Sequence, residues 1–312
     1  MSLFLGIDTS NYTTSVAVYN SENGEMLQRK QLLPVKQGQL GLRQSDAVFH
    51  HTQQLHTLVE DIAKEVDLSG VSALGVSTRP RPVDGSYMPC FTVGENTARI
   101  ISAVIKKPLL TFSHQEGHIA AALFSAARED LFEKEFLAFH ISGGTTEAVL
   151  AKGSTSSFAV KEAAKTLDLN AGQAVDRVGL MLGLKFPCGS QLEQLALNNT
   201  EKFKVRPTLK GADCCLSGLE NQCKKMLDNG EGKEKIAAFC LAFIQATLEK
   251  MTEKLLEQFG NLPVIFAGGV MSNSIIRNAL TEKFGATFAK PEYSADNAAG
   301  IAYLAYKKYT VI

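Results

Sequence analysis

Apolar positions in this chain fall into two arrangements that take turns. Short unbroken runs such as Phe4-Leu5-Gly6-Ile7 and Val16-Ala17-Val18 are bounded by clusters of Ser, Thr and Asn, as strands are; longer stretches repeat their apolar residues at helical spacing. Two runs joined by a small polar turn, Asp8 to Thr14, predict a hairpin. Beyond it the pattern predicts a helix over 46–66, a strand over 73–77, a helix over 92–105 and a strand over 109–112. The same order returns later. Phe4 to Val18 can be laid on Phe136 to Leu150 with a single offset of 132 positions, and Phe, Leu, Ser and both Thr coincide. The second copy is followed by a long helix over 233–259, a strand over 263–267, a helix over 273–284 and a closing helix over 296–308. Two copies of a βββαβα unit imply an α/β chain of two mixed sheets flanked by helices, with a cleft between them.

At 312 residues and 45% hydrophobic, the chain is long enough for two cores. The repeat divides it at 1–112 and 113–295, with 296–312 expected to pack back on the first part. No apolar run approaches the roughly 20 residues that span a bilayer, and the opening residues lack the basic region of a secretory signal, so a cytoplasmic location and no membrane contact are expected. The six cysteines contain no C-x-x-C pair, which argues against a zinc ribbon and against a disulfide framework. Thirty-two basic and thirty-two acidic residues cancel, so any contact with nucleic acid must rest on a local patch or a partner.

Three turns of small residues carry candidate chemistry. Thr9-Ser10 follows the first strand and Ser142-Gly143-Gly144-Thr145 its counterpart; backbone N–H groups in such turns can face an anion, although Ser-Gly-Gly-Thr alone also reads as a plain tight turn. Gly268-Gly269 with Asn273 follows an apolar strand and opens a helix, where an adenosine could lie against bare backbone. Asp8 closes the first strand, where a carboxylate could hold a magnesium ion or orient water. The last constellation is His114-Gln115-Glu116-Gly117-His118. Histidines four apart share one helical face and could bind one metal ion, or could be ordinary surface or core residues; the spacing is not that of a zincin, and Glu116 is expected to point elsewhere. A third ligand must come from afar, and Asp296 is the candidate.

Together these segments resemble the universal tRNA threonylcarbamoyladenosine synthase family. The resemblance is carried by His114-Gln115-Glu116-Gly117-His118, Ser142-Gly143-Gly144, Asp176 with Gly183 to Gly189, Leu216-Ser217-Gly218-Leu219, Ala267-Gly268-Gly269-Val270 with Asn273, and Ser294-Ala295-Asp296-Asn297. It implies the duplicated actin-like ATPase (ribonuclease H-like, ASKHA) fold. It also implies that His114, His118 and Asp296 bind one divalent metal, iron or zinc with magnesium as a further possibility, and that His140, Ile141, Ser142, Gly143, Gly144, Asp176, Gly189 and Asn273 hold ATP or an adenylate-type nucleotide. The implied reaction moves a threonylcarbamoyl group from its adenylate to the exocyclic amine of the adenosine beside the anticodon. The implied partners are tRNA and the family's companion proteins, an ASKHA scaffold and a small ATPase.

Several positions depart from the family pattern. Ser10 is followed by Asn11, Tyr12 and Thr13 where the family usually has Cys-Asp-Glu-Thr, and Thr145 stands where the family has histidine. Arg79-Pro80-Arg81-Pro82-Val83-Asp84-Gly85 replaces a glycine-rich turn and adds two cations, for which phosphate contact and a solvated loop are both open. These changes leave room for a paralogue with another acceptor, or for a non-catalytic nucleotide-binding scaffold. A protease is disfavoured because no base or nucleophile is placed for one.

Overall fold

The computed structural model describes residues 2–10, 12–34, 42–154 and 157–311; Asn11, one of the departing turn residues, lies outside them. The first half runs β1 (Leu3–Asp8), β2 (Thr13–Asn20), β3 (Met26–Leu32), α1 (Gln44–Ala63), β4 (Val71–Arg79), α2 (Phe91–Ile105), β5 (Leu109–Ser113) and α3 (His114–Ser125). The second runs β6 (Glu135–Ile141), β7 (Thr146–Ser154), β8 (Ser157–Lys165), α4 (Ala171–Met181), α5 (Gly189–Leu197), a small hairpin β9 (Thr208–Lys210) and β10 (Asp213–Cys215), then α6 (Ser217–Asp228) and α7 (Lys233–Phe259). It closes with β11 (Val264–Ala267), α8 (Ser274–Phe284), β12 (Thr287–Phe288), α9 (Pro291–Ser294) and α10 (Ala299–Tyr309).

The two large sheets share one wiring. The first is ordered β3-β2-β1-β4-β5 and the second β8-β7-β6-β11-β12, so in each the third, second, first, fourth and fifth strands stand side by side. β1 is antiparallel to β2 and parallel to β4, and β11 is parallel to both β6 and β12. Such mixed sheets need helical crossovers for their parallel pairs, which is why amphipathic helices follow each hairpin. The repeat read from the sequence is thus a repeat of topology.

Two compact units result. One is Met1–Lys134 with Lys152–Ala159 and Glu292–Ile312; the other is Glu135–Ala151 with Val160–Pro291. α3 therefore stands with the first unit, past the division expected at 112/113, and α10 joins it from the far end of the chain. The buried side chains of β1, β2 and β4, with Leu55, Leu58 and Ile62 of α1, form a core of the first unit. In the second, Ile236, Cys240, Ile244, Leu248, Met251 and Leu255 of α7 belong to one buried cluster with the sheet residues Leu137, Phe139 and Phe266. None of the six cysteines is in a disulfide. Among the described residues no helix is long and apolar enough to cross a membrane.

Candidate metal centre and nucleotide pocket

The first unit builds one site from three distant stretches of sequence. Ser113 caps α3: its hydroxyl accepts the Glu116 N–H at 3.2 Å, and the Glu116 carboxylate accepts the Ser113 N–H at 2.8 Å and its hydroxyl at 2.7 Å. This capping box takes up Glu116, which the sequence expected to point elsewhere without showing where. His114 and His118 are left one turn apart on the same face, ring centroids 4.3 Å from each other. Asp296 reaches them because α3 and α10 cross almost backbone to backbone. A Cβ on Gly300 would lie 1.8 Å from the carbonyl oxygen of Gly117, so only glycine fits. Asn297 fixes the turn before α10 by donating to the carbonyls of Tyr293 (3.1 Å) and Ala295 (2.6 Å) and accepting the Ala299 N–H at 3.0 Å.

The Asp296 carboxylate oxygen stands 3.4 Å from His114 Nε2 and 3.2 Å from His118 Nε2. Ligand atoms of the three residues all lie within 4.8 Å of one another. Metal–nitrogen and metal–oxygen bonds of about 2.1 Å place two ligands of a tetrahedral ion about 3.4 Å apart, so these separations fit a shared ion. Two imidazoles with one carboxylate suit iron or zinc better than magnesium, which prefers oxygen.

Asp8 stands behind this group and is fully buried. Its carboxylate accepts from Ser10 Oγ at 2.8 Å, from Ser77 Oγ, and from His114 Nδ1 at 3.0 Å. A carboxylate on Nδ1 fixes the ring and directs Nε2 toward Asp296, the arrangement that orients histidine ligands in metalloproteins. The sequence left Asp8 open to holding a magnesium ion or orienting water; here its carboxylate lies on His114 Nδ1 and on the hydroxyls of Ser10 and Ser77. Burial alone would push the His114 imidazolium down, but Asp8 and Asp296 outweigh it and push the ring up to about 10. Burial likewise works against the Asp296 carboxylate, and hydrogen bonds from His114 and His118 hold it well below the usual carboxylate range. The potential here favours a cation.

The loop from Arg79 to Cys90 is tied to this site at both ends. The Pro80 carbonyl accepts the Gln115 N–H at 3.0 Å, and the Cys90 carbonyl accepts the Thr9 hydroxyl at 3.0 Å. Arg79 is half-buried beside Ser113 in the β4–β5 pairing, and Arg81 is exposed.

The second unit contains a cavity of about 360 Å³, within the range of small-ligand pockets. Gly143, Asp176, Gly189, Gly269 and Asn273 line it, with Gly172, Ser190 and Glu193, which the sequence reading missed. At Gly143, Gly144, Gly189 and Gly269 a Cβ would meet nothing, so these backbones face open space. Ser142 ties the turn: its hydroxyl accepts the Thr145 N–H at 3.1 Å, and its carbonyl accepts the Gly172 N–H at 3.0 Å. Asp176 accepts the Cys188 N–H at 2.8 Å, anchoring the approach to Gly189, and Asn273 caps α8 by accepting the Ile276 N–H at 3.1 Å. Glu193 is tethered in turn by the Ser274 N–H at 2.8 Å.

Other expected contacts do not line this cavity. Ile141 is core, and Gly268, at φ 103°, packs so close that a Cβ would lie 2.2 Å from the Ile141 carbonyl oxygen. His140, half-buried at the end of β6, is absent from the lining, and Ser10 belongs to the first unit with its hydroxyl on Asp8.

Comparison with known proteins decides the family. The profile of the tRNA N6-adenosine threonylcarbamoyltransferase (TsaD) family matches residues 35–303. The chain belongs to this family. A tRNA N6-adenosine threonylcarbamoyltransferase of Archaeoglobus fulgidus is 26% identical over 310 residues, covering 98% of this chain and 91% of that protein. One from Sulfurihydrogenibium is 30% identical over 317 residues, covering 98% and 90%. Among solved structures, component A of the Acidaminococcus fermentans (R)-2-hydroxyglutaryl-CoA dehydratase superposes with a TM-score of 0.58 at 18% identity, covering 99% of this chain and 100% of that one. T. kodakarensis HypF gives 0.60 at 13% identity, covering 98% of this chain and 47% of that one. These likenesses show the actin-like fold of this chain.

Proposed function

We propose that this TsaD-family chain moves a threonylcarbamoyl group from threonylcarbamoyl-adenylate to the exocyclic amine of the adenosine beside a tRNA anticodon. The observation that carries this reading is the His114, His118 and Asp296 group at ligand separation, with Asp8 buried behind it, in a chain matched along most of its length by that family. A bond forms between the adenosine N6 and the carbamoyl carbon, the bond from that carbon to the AMP phosphate oxygen breaks, and the amine gives up a proton. No side-chain nucleophile is needed.

A divalent ion held by His114, His118 and Asp296 would supply Lewis acidity toward carbonyl or phosphate oxygens. The chain's own residues position the rest. Asp8, Ser10 and Ser77 keep the His114 ring in one orientation. The backbone of Gly143, Gly189 and Gly269 offers an uncrowded wall where an adenylate can lie close, with Asp176 and Asn273 holding the supporting turns. Companion proteins, an ASKHA scaffold and a small ATPase, complete the reading as partners.

The test mixes purified protein, synthetic threonylcarbamoyl-adenylate and unmodified tRNA, with and without the companion proteins, and follows the nucleoside by mass spectrometry. Appearance of N6-threonylcarbamoyladenosine supports the reading. If none forms under any condition, the reading is wrong and the altered-acceptor alternative takes its place.

A further inference from the structure

Nine residues between α5 and β10 form a pattern that the reaction does not use. From Lys202 to Lys210 exposure alternates without a break: Lys202, Lys204, Arg206, Thr208 and Lys210 face solvent, while Phe203, Val205, Pro207 and Leu209 turn inward. Period two is the signature of an extended chain. The inward side is anchored, since Phe203 meets Phe239 edge-on at 5.5 Å and Val205 and Leu209 pack on the core of the second unit. Its end is pinned by pairing of β9 with β10, Lys210 opposite Asp213. Four cations therefore stand in file on a backbone that is held in place.

The cations have no acid to satisfy them. Glu201, at the head of the segment, is paired with Lys235 at 3.0 Å, and the Asp213 carboxylate accepts the Lys165 N–H at 2.8 Å. Among the described residues Lys202, Lys204, Arg206 and Lys210 make no ion pair. Neighbours on one face of an extended chain are about 6.6 Å apart. That is the order of the step between phosphates along a nucleic-acid strand. The chain as a whole has no net charge, so a polyanion would be gathered by a local feature of this kind or not at all.

We propose that the segment 202–210 is a phosphate rail that binds the backbone of the RNA acceptor, Lys202, Lys204, Arg206 and Lys210 each facing a phosphate. The assignment of RNA as occupant rests on the function proposed above. The rail supplies affinity and orientation without reading bases, as backbone contacts do.

The experiment measures binding of fluorescently labelled unmodified tRNA by anisotropy over a range of salt, using the full chain. The variant Lys202→Ala/Lys204→Ala/Arg206→Ala/Lys210→Ala removes the rail, and Lys224→Ala/Lys225→Ala/Lys250→Ala/Lys254→Ala removes the same charge from α6 and α7. Each lost phosphate contact lowers the salt slope by roughly 0.7 to 0.9, so the rail variant is expected to lose about 3 from the slope and about 100-fold in affinity near 0.1 M salt. The control keeps wild-type affinity within about 3-fold. Equal losses in both variants, an unchanged slope in the rail variant, or a wild type that binds no tRNA each overturn the rail. So does a rail variant that loses binding to phosphatidylserine vesicles while keeping tRNA. The transfer assay is read separately: transfer by a chain whose rail variant binds tRNA normally sinks only the rail, and rail-dependent binding without transfer sinks only the proposed reaction.

Discussion

Gly300→Ala tests whether the crossing of α3 and α10 sets the metal site. The new methyl carbon would start 1.8 Å from the Gly117 carbonyl oxygen, 2.7 Å from its carbon and 2.8 Å from the Ala121 nitrogen. All three are backbone atoms, so no side chain can swing aside. Ordinary contact needs about 3.5 Å, and the helices must part by roughly 1.5 Å. Overpacking of this kind costs about 1 to 3 kcal/mol, here at the upper end, against about 1 kcal/mol gained from the better helix propensity of alanine. A net loss of about 2 kcal/mol corresponds to a fall in Tm of about 4 to 8 °C. The local consequence is sharper. Asp296 lies just before α10, so the same displacement would carry its carboxylate from 3.2 and 3.4 Å of the two imidazoles to beyond the reach of a shared ion. Chelator competition should therefore report metal affinity reduced at least about 10-fold, and differential scanning fluorimetry the lower Tm. A variant with unchanged Tm and unchanged metal affinity would refute the claim that this contact positions the ligand.

Three further substitutions probe other links. Asp8→Asn keeps the shape but removes the charge that orients His114; metal affinity by competitive titration should fall about 10- to 100-fold with the fold intact, and wild-type affinity would count against the orienting role. Gly269→Val places a side chain where a Cβ meets nothing and the cavity begins, so calorimetry should show loss of adenylate binding at unchanged Tm; retained binding would move the nucleotide elsewhere. Asp168 is exposed; partial burial raises its carboxyl, but hydrogen bonds from the Ser217 hydroxyl and the N–H groups of Leu216, Leu169 and Ser217 outweigh that and lower it. Because the folded value lies below the unfolded one, its contribution is complete above about pH 4 to 5 and disappears as the pH falls through the folded value. Asp168→Asn, expected to cost about 1 kcal/mol at neutral pH after allowing for screening, should flatten the acid limb of a urea-denaturation series, and an unchanged limb would show that the anchor to α6 contributes nothing.

Elements with one long apolar stripe were legible from sequence. The helix expected over 233–259 is α7, Lys233–Phe259, and the strands expected over 73–77 and 263–267 fall within one or two residues of the cores of β4 and β11. Shorter pieces escaped, because α5 has nine residues and β9 and β10 three each, too few for a period to emerge. The histidine pair was legible because i, i+4 spacing is a local property. Ser77 was not, for it is a single polar residue inside an apolar strand, and its tie to Asp8 is made by the pairing of β1 with β4. Asp296 could be named from sequence as a candidate third ligand, and the resemblance to the family strengthened that reading, but the approach itself could not be read. Its physical cause, a glycine in each of two helices far apart in sequence, is visible only once those helices cross.

Anomalous diffraction from crystals of iron- or zinc-loaded protein tests the central claim most directly. The account predicts one strong peak about 2.0 to 2.2 Å from His114 Nε2, from a ring nitrogen of His118 and from an Asp296 carboxylate oxygen, with Asp8 still hydrogen-bonded to His114 Nδ1. A loaded protein with no peak there, or with its ion bound by other residues, would contradict it.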